Sequence, residues 1–181
     1  MTKEISKDAA DAAPKYVNLI LECTQANNAE LIVLNRAGMI MFNDKEFANE
    51  VIHSSEVEQG MTEALALATQ LHYPNCMMVL FSPTRARQVL NQQSGRSKGA
   101  TLLKKLLKLH DEDPTFEEQR RALEAFISNP TAQTVSDPLE LFCSEVNQAL
   151  RRQTQRDKLI RAAHCTSAQP KQSTARGFKK I

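Results

Sequence analysis

Glycine occurs at only five of the 181 positions of this chain. Because glycine adopts positive φ angles more readily than any other residue, its scarcity limits tight turns and close approaches of the backbone. Phosphate-binding loops of nucleotide-binding proteins depend on such glycines. The low glycine content therefore favours a helix-dominated fold and argues against a Gly-rich nucleotide-binding loop.

The length is sufficient for one globular domain with a buried core. Hydrophobic residues make up 41% and charged residues 24% of the chain, which is ordinary for a globular protein. Trp is absent and Tyr occurs twice, so the core must be built from Leu, Ile, Val, Met and Phe. We predict a flexible leader at 1–13, a single domain at 14–165 and a disordered basic tail at 166–181, because both ends are too polar to bury themselves.

Three short apolar runs, at residues 31–34, 39–42 and 76–81, predict β-strands. Gly38 lies between the first two runs and can supply the positive φ of a hairpin turn. None of the runs alternates apolar and polar residues, which is typical of a sheet covered on both faces. The predicted fold class is therefore α+β and helix-dominated, with a small three-stranded antiparallel sheet in the N-terminal half packed by helices.

From Ser82 onward the sequence predicts helices alone. Ser82 followed by Pro83 is a typical helix start, with a capping side chain and a proline in the first turn. Asp137 and Pro138 begin a last long helix whose second half has few large apolar residues, so this half is expected to project beyond the core. The domain thus divides into an α/β part at 14–82 and an all-helical part at 83–165.

The charges are sorted into four blocks along the chain. Residues 1–63 carry five Lys or Arg and eleven Asp or Glu, whereas residues 64–110 carry seven basic residues and no acidic one. Residues 111–150 carry two basic and nine acidic residues, and residues 151–181 carry nine and one. The net charge of +2 therefore conceals two strongly basic segments. Such segregation bears on partners and assembly rather than on the fold.

The first basic segment contains a helix with leucines on one side and lysines on the other. This pattern predicts a buried apolar face and an exposed cationic face. The candidate binding residues of the segment are Arg85, Arg87, Arg96, Lys98, Lys104, Lys105 and Lys108.

The second basic segment comprises the second half of the last helix and the tail. Cations near the C-terminus of a helix are favoured by the helix dipole, but the dipole does not account for cations in the tail. A flexible basic tail typically binds nucleic acid, an anionic membrane or an acidic protein surface. The candidate binding residues here are Arg151, Arg152, Arg156, Lys179 and Lys180.

Three interpretations of the basic segments remain open. They form a solvated face, they dock on acidic segments of the same or a second molecule, or they bind the phosphate backbone of DNA or RNA. The near absence of aromatic residues from both segments weighs against recognition of single strands by stacking.

The leading hypothesis is a non-enzymatic interaction protein, an adaptor or assembly factor that docks on another protein or on its own copies through segregated charged surfaces. The alternative is an accessory nucleic-acid-binding protein using the Arg85–Lys108 surface and the tail.

No motif of catalysis or metal binding is present. The four histidines occur singly, the four cysteines lack C-x-x-C spacing, and the acidic stretch Asp111–Asp113 fits helix capping better than a metal loop. We therefore predict no catalytic residues, no metal ligands and no cofactor.

No apolar run approaches the length of a membrane span and the N-terminus does not resemble a signal peptide, which predicts a cytoplasmic protein.

Overall fold

The computed structural model of this chain describes residues 5–93 and 96–167. This part of the chain consists of α-helices joined by short connections and contains no β-strand. In chain order, the helices are α1 (Lys7–Gln25), α2 (Ala29–Arg36), α3 (Lys45–Ile52), α4 (Ser55–Leu71), α5 (Pro74–Leu80), α6 (Pro83–Gln92), α7 (Lys98–Glu112), α8 (Pro114–Ser128) and α9 (Ser136–Ser167).

The prediction of a three-stranded sheet, and with it of an α+β fold, is wrong. The run 31–34 lies in α2, the run 39–42 lies in the connection between α2 and α3, and the run 76–81 falls almost wholly in α5. A short apolar run fits a buried helix as well as a buried strand, and periodicity alone does not separate the two. Residues 76–80 are all buried, so α5 has no polar face that would reveal its helical period.

Local capping explains why two of these segments are helical. The side chain of Asn28 accepts a hydrogen bond from the backbone N–H of Leu31 at 3.0 Å, which begins α2. Pro74 occupies the first turn of α5, where its missing N–H costs nothing. Gly38 does adopt a positive φ of 71°, but in a connection between two helices and not in a hairpin.

Helix α4 lies at the centre of the molecule and packs against α1, α5, α6 and α7. Its contact with α7 is a backbone approach at Gly99, where a Cβ atom would lie 1.8 Å from the carbonyl oxygen of Thr69. Its contact with α1 is also close, because a Cβ atom at Gly60 would lie 2.5 Å from the methyl groups of Val17. Small residues at these two places allow the three helices to form one core.

Helix α1 includes residues 7–13 of the expected leader, and it buries Ala9 and Ala13. From Pro83 onward the regular elements of the described residues are all helices, as predicted. The first half of α9 buries Leu139, Phe142 and Val146, whereas residues 158–167 are all exposed. The expected disordered tail lies outside the described residues, apart from 166 and 167, which end α9.

Candidate interaction surface

The structure places Arg85 in the interior and not on a cationic surface. Only 8% of the residue is exposed. Its Nη1 donates to the carbonyl oxygen of Leu80 at 2.9 Å, and its Nη2 lies 3.3 Å from Glu58. Desolvation by burial, reinforced by the nearby guanidinium of Arg36, lowers the pKa of Arg85 below its usual range. Arg85 therefore links helices inside the molecule and is unavailable to a macromolecular partner.

Two further cations of the first basic segment are paired with carboxylates of the same chain. Arg87 lies 3.4 Å from Asp111, and Lys108 lies 2.9 Å from Asp157. Lys104 is exposed, and it too has a contact within the chain. The cationic face of this segment is thus partly neutralised by its own protein.

The remaining cations of the first segment, Arg96, Lys98 and Lys105, are exposed and form no ion pair with any carboxylate of the described residues. On α9, Arg156 pairs with Glu112 at 2.8 Å. Lys179 and Lys180 lie outside the described residues.

We use the name unpaired cations for the exposed Lys or Arg residues without an ion pair in the described part of these two segments. They are Arg96, Lys98, Lys105, Arg151, Arg152, Lys158 and Arg161.

The end of α9 also exposes large apolar side chains, which the sequence analysis did not identify as a surface. Leu159 is 72% exposed and Ile160 is 48% exposed. Together with Ala163 they occupy positions i, i+1 and i+4, so they share one side of the helix. The available signal was an adjacent Leu-Ile pair within an otherwise charged and polar stretch. We call residues 158–167 the projecting segment.

Opposite charge accumulates on the N-terminal helices. Within the described part of residues 1–63, Glu58 is the one carboxylate that pairs with a cation, and it does so with Arg85. Other carboxylates of α1, α3 and α4 are exposed and have no ion pair in the described chain. These acidic residues, which we call the acidic surface, are Asp8, Asp11, Glu22, Glu46, Glu56 and Glu63.

A dense group of charges lies where α7 meets α8. Asp113 caps α8 by accepting a hydrogen bond from the N–H of Thr115 at 3.0 Å, in agreement with the capping interpretation of this acidic stretch. Glu117 accepts from Arg120 at 2.8 Å and from Arg121 at 3.0 Å. Hydrogen bonding to Arg120 is the main reason that the pKa of Glu117 is lowered to about 2. These ion pairs lie within α8, so they stabilise that helix.

Three thiols, those of Cys23, Cys76 and Cys143, lie close enough in the core for Cys76 to interact electrostatically with the other two, but the described residues form no metal site. Among the described residues, no cluster of three or more His, Cys, Asp or Glu side chains has the geometry to hold a metal ion. Cys23, Cys76 and Cys143 are buried, and desolvation raises the pKa of Cys76 and Cys143 to about 11. Cys165 is exposed on the projecting segment. A buried thiol with a raised pKa is a poor nucleophile, so Cys165 is the accessible thiol.

No protein-family profile, no curated protein and no solved structure matches this chain. None of the described helices combines the length and the apolar character needed to cross a bilayer. The function of this chain must therefore be inferred from its own side chains.

Proposed function

We propose that this chain is a non-enzymatic, cytoplasmic interaction protein, an adaptor or assembly factor. It self-associates by docking the projecting segment of one copy on the acidic surface of another. One observation carries the proposal: α9 remains helical at residues 158–167 although every residue there is exposed and two of them are large and apolar.

Most of the stability of a helix in a protein comes from packing of its apolar face, and the projecting segment has no such packing within the described chain. The projecting segment has ten residues and exposes Leu159 and Ile160 to solvent. Burying a Leu or Ile side chain contributes roughly 1.5–3 kcal/mol. A partner surface that covers this side of α9 would therefore stabilise both the helix and the complex.

The charges support a second copy as the partner. Unpaired cations on α9, among them Lys158 and Arg161, lie next to the apolar side chains, while the acidic surface on α1, α3 and α4 has no ion pairs of its own in the described chain. Complementary charge accelerates encounter and fixes orientation, and salt weakens it. Because the two surfaces differ, the contact is of the head-to-tail kind, which builds rings or open chains of copies. The four free cysteines are compatible with a reducing compartment.

The test is the salt dependence of assembly. We expect analytical ultracentrifugation of the full chain to show oligomers at low salt that dissociate as salt is raised. A double variant, Leu159→Ser with Ile160→Ser, should sediment as a monomer at all salt concentrations while keeping its helical content. The matched control is Leu141→Ser, because Leu141 is 61% exposed on the first half of the same helix, away from the projecting segment.

Two results would contradict the proposal. One is a wild-type chain that stays monomeric at low salt and high protein concentration. The other is a Leu159 and Ile160 double variant that assembles as well as the Leu141 control.

An accessory nucleic-acid-binding function is the second candidate, and the unpaired cations favour it. Phosphate groups would release counterions on meeting such a surface, so affinity would fall steeply with salt. Phe81, the aromatic residue just before the Arg85–Lys108 surface, is buried, which disfavours base stacking there. Charge reversal at Lys98 and Lys105 should abolish binding of labelled DNA or RNA if this candidate is correct. Self-association predicts no binding to either at physiological salt.

A further inference from the structure

A polar cavity of about 250 Å³ lies where α2, α3, α4, α6 and α8 meet. It does not belong to the surfaces described above. Its lining includes two guanidinium groups, two carboxylates, an imidazole and an amide. These side chains are Arg36, Arg85, Glu58, Glu124, His53 and Asn49.

The side chain of Arg36 is largely buried and is paired with one carbonyl group and one carboxylate. Its side chain is 9% exposed. Nη1 donates to the carbonyl oxygen of Val79 at 2.7 Å, and Nη2 donates to the two carboxylate oxygens of Glu124 at 2.8 and 3.1 Å. These distances are typical of strong charge-assisted hydrogen bonds.

The side chain of Arg85 is buried to a similar extent as that of Arg36, but its carboxylate partner binds it less closely. Its distances to the two oxygens of Glu58 are 3.3 and 3.4 Å, longer than is usual for charge-assisted bonds. The Glu58 side chain is 53% exposed, so water competes for its charge. The Nε atom of Arg85 is buried and has no hydrogen-bond partner among the described residues. A buried cation with an incomplete set of acceptors is costly, and an added anion would offset that cost.

The two arginines are held near each other because both bind the end of α5. Arg36 donates to Val79 and Arg85 donates to Leu80, the last two residues of that helix. The C-terminus of a helix carries partial negative charge, so it attracts both guanidinium groups. The fold thereby places two positively charged groups around one cavity. Glu124 already forms an ion pair with Arg36.

We propose that this cavity binds a small oxyanion, a carboxylate or a phosphate group. Arg85 is the principal ligand of this oxyanion, and the bound oxyanion displaces the carboxylate of Glu58 from Arg85. Glu58 can turn to solvent because half of its side chain already lies there. The planar guanidinium of Arg85 suits two oxygens of one anionic group. The cavity is smaller than the sites that hold drug-sized molecules, which favours a compact ligand.

Removing Glu58 provides a test that does not depend on damaging the core. The full chain would be titrated with inorganic phosphate and with succinate at constant ionic strength, with chloride as the reference salt, by calorimetry and thermal shift. Glu58→Gln should strengthen binding about tenfold because it removes the competing charge, and Arg85→Lys should weaken it by a similar factor. Comparison of phosphate with succinate identifies which oxyanion the site prefers.

The matched control is Glu63→Gln, because Glu63 is an exposed glutamate on the same helix that does not line the cavity. It should leave the affinity unchanged. Should Arg85→Lys fail to fold, Glu58→Gln still decides the question. The proposal is overturned if Glu58→Gln binds neither anion at millimolar concentration, or if Glu63→Gln strengthens binding as much as Glu58→Gln does.

Discussion

Lys108 of α7 donates hydrogen bonds to both carboxylate oxygens of Asp157 of α9, at 2.9 and 3.1 Å. One turn further along α7, Glu112 accepts a hydrogen bond from Arg156 of α9 at 2.8 Å. Each helix thus supplies one cation and one anion to the same contact. These two ion pairs are located where α9 leaves the core, immediately before the projecting segment.

Asp157→Asn should loosen the end of α9. The Lys108 hydrogen bond is the main reason that the pKa of Asp157 lies below its ordinary value of 3.8. A carboxylate with a lowered pKa in the folded state stabilises the fold above its ordinary pKa, and this effect is lost as pH falls through the folded value. We therefore expect faster amide hydrogen exchange in residues 154–167 of the variant at neutral pH, and a smaller difference from wild type in acid. Asp137→Asn, at the start of the same helix, is the control. Equal exchange in both variants would show that the ion pair does not anchor α9.

Gly99→Ala should strongly destabilise the protein. The new Cβ atom would lie 1.8 Å from the carbonyl oxygen of Thr69, a backbone atom that cannot move without displacing α4 from α7. The expected loss is about 3 kcal/mol or more in the free energy of unfolding, measured with urea. Gly60→Ala should cost only about 1 kcal/mol, because the new methyl group meets a side chain and alanine favours the helix. Equal losses of unfolding free energy in the two variants would contradict the close backbone contact between Gly99 and Thr69.

Glu117→Gln should reduce stability at neutral pH and have little effect in strong acid. The pKa of Glu117 is lowered from 4.5 to about 2, so its ion pairs contribute above the ordinary pKa and disappear as pH falls through the folded value. We expect a loss of about 1 kcal/mol at pH 7 that shrinks between pH 4.5 and 2, measured by urea unfolding across this range. The exposed neighbour Glu118 offers the control Glu118→Gln, which should change stability little at any pH.

The same Leu→Ala substitution should cost far more stability in α7 than in α9. Leu103 is fully buried, so its truncation leaves a cavity and should cost about 3 kcal/mol of unfolding free energy. Leu159 is 72% exposed, so its truncation should change that free energy by less than about 0.5 kcal/mol. Chemical denaturation of dilute protein at high salt isolates these effects from assembly. A large loss at Leu159 under these conditions would mean that the projecting segment packs on its own chain.

Maleimide should modify one thiol per native chain. Cys165 is exposed, whereas burial raises the pKa of Cys76 and Cys143 to about 11 and also raises that of Cys23. Mass spectrometry at neutral pH should find a single rapid modification, absent from Cys165→Ser, and four modifications in denaturant. Rapid modification of a second thiol in the native protein would contradict the burial of the core cysteines.

The sequence predicted helices well where capping residues and amphipathic periodicity coincide. The predicted start at Ser82 and Pro83 is confirmed, because the Ser82 hydroxyl accepts a hydrogen bond from the N–H of Arg85 at 3.2 Å. The sequence failed at α2 and α5, which are helices of only eight and seven residues, and α5 buries five of its seven. Without an exposed polar face, such a helix cannot be told from a strand by its pattern. Pro74 was the informative residue, because it begins a helix readily and interrupts a central strand.

The positions of charges on individual helices followed from the sequence, but their partners did not. Arg85 meets Glu58 and Lys108 meets Asp157 across 27 and 49 residues of chain. Such pairs form only when the tertiary structure brings the helices together, and neither helix alone encodes the pairing. The projection of the second half of α9, by contrast, was predicted from the small number of large apolar residues in it.

The carbonyl groups that end α5 are bound by Arg36, which precedes that helix in the chain, and by Arg85, which follows it. A fragment that lacks either arginine would bury a carbonyl oxygen at the end of α5 without its hydrogen-bond partner. Limited proteolysis or gene truncation between these residues should therefore yield insoluble pieces in place of two smaller proteins. These two hydrogen bonds make residues 36–85 one structural unit.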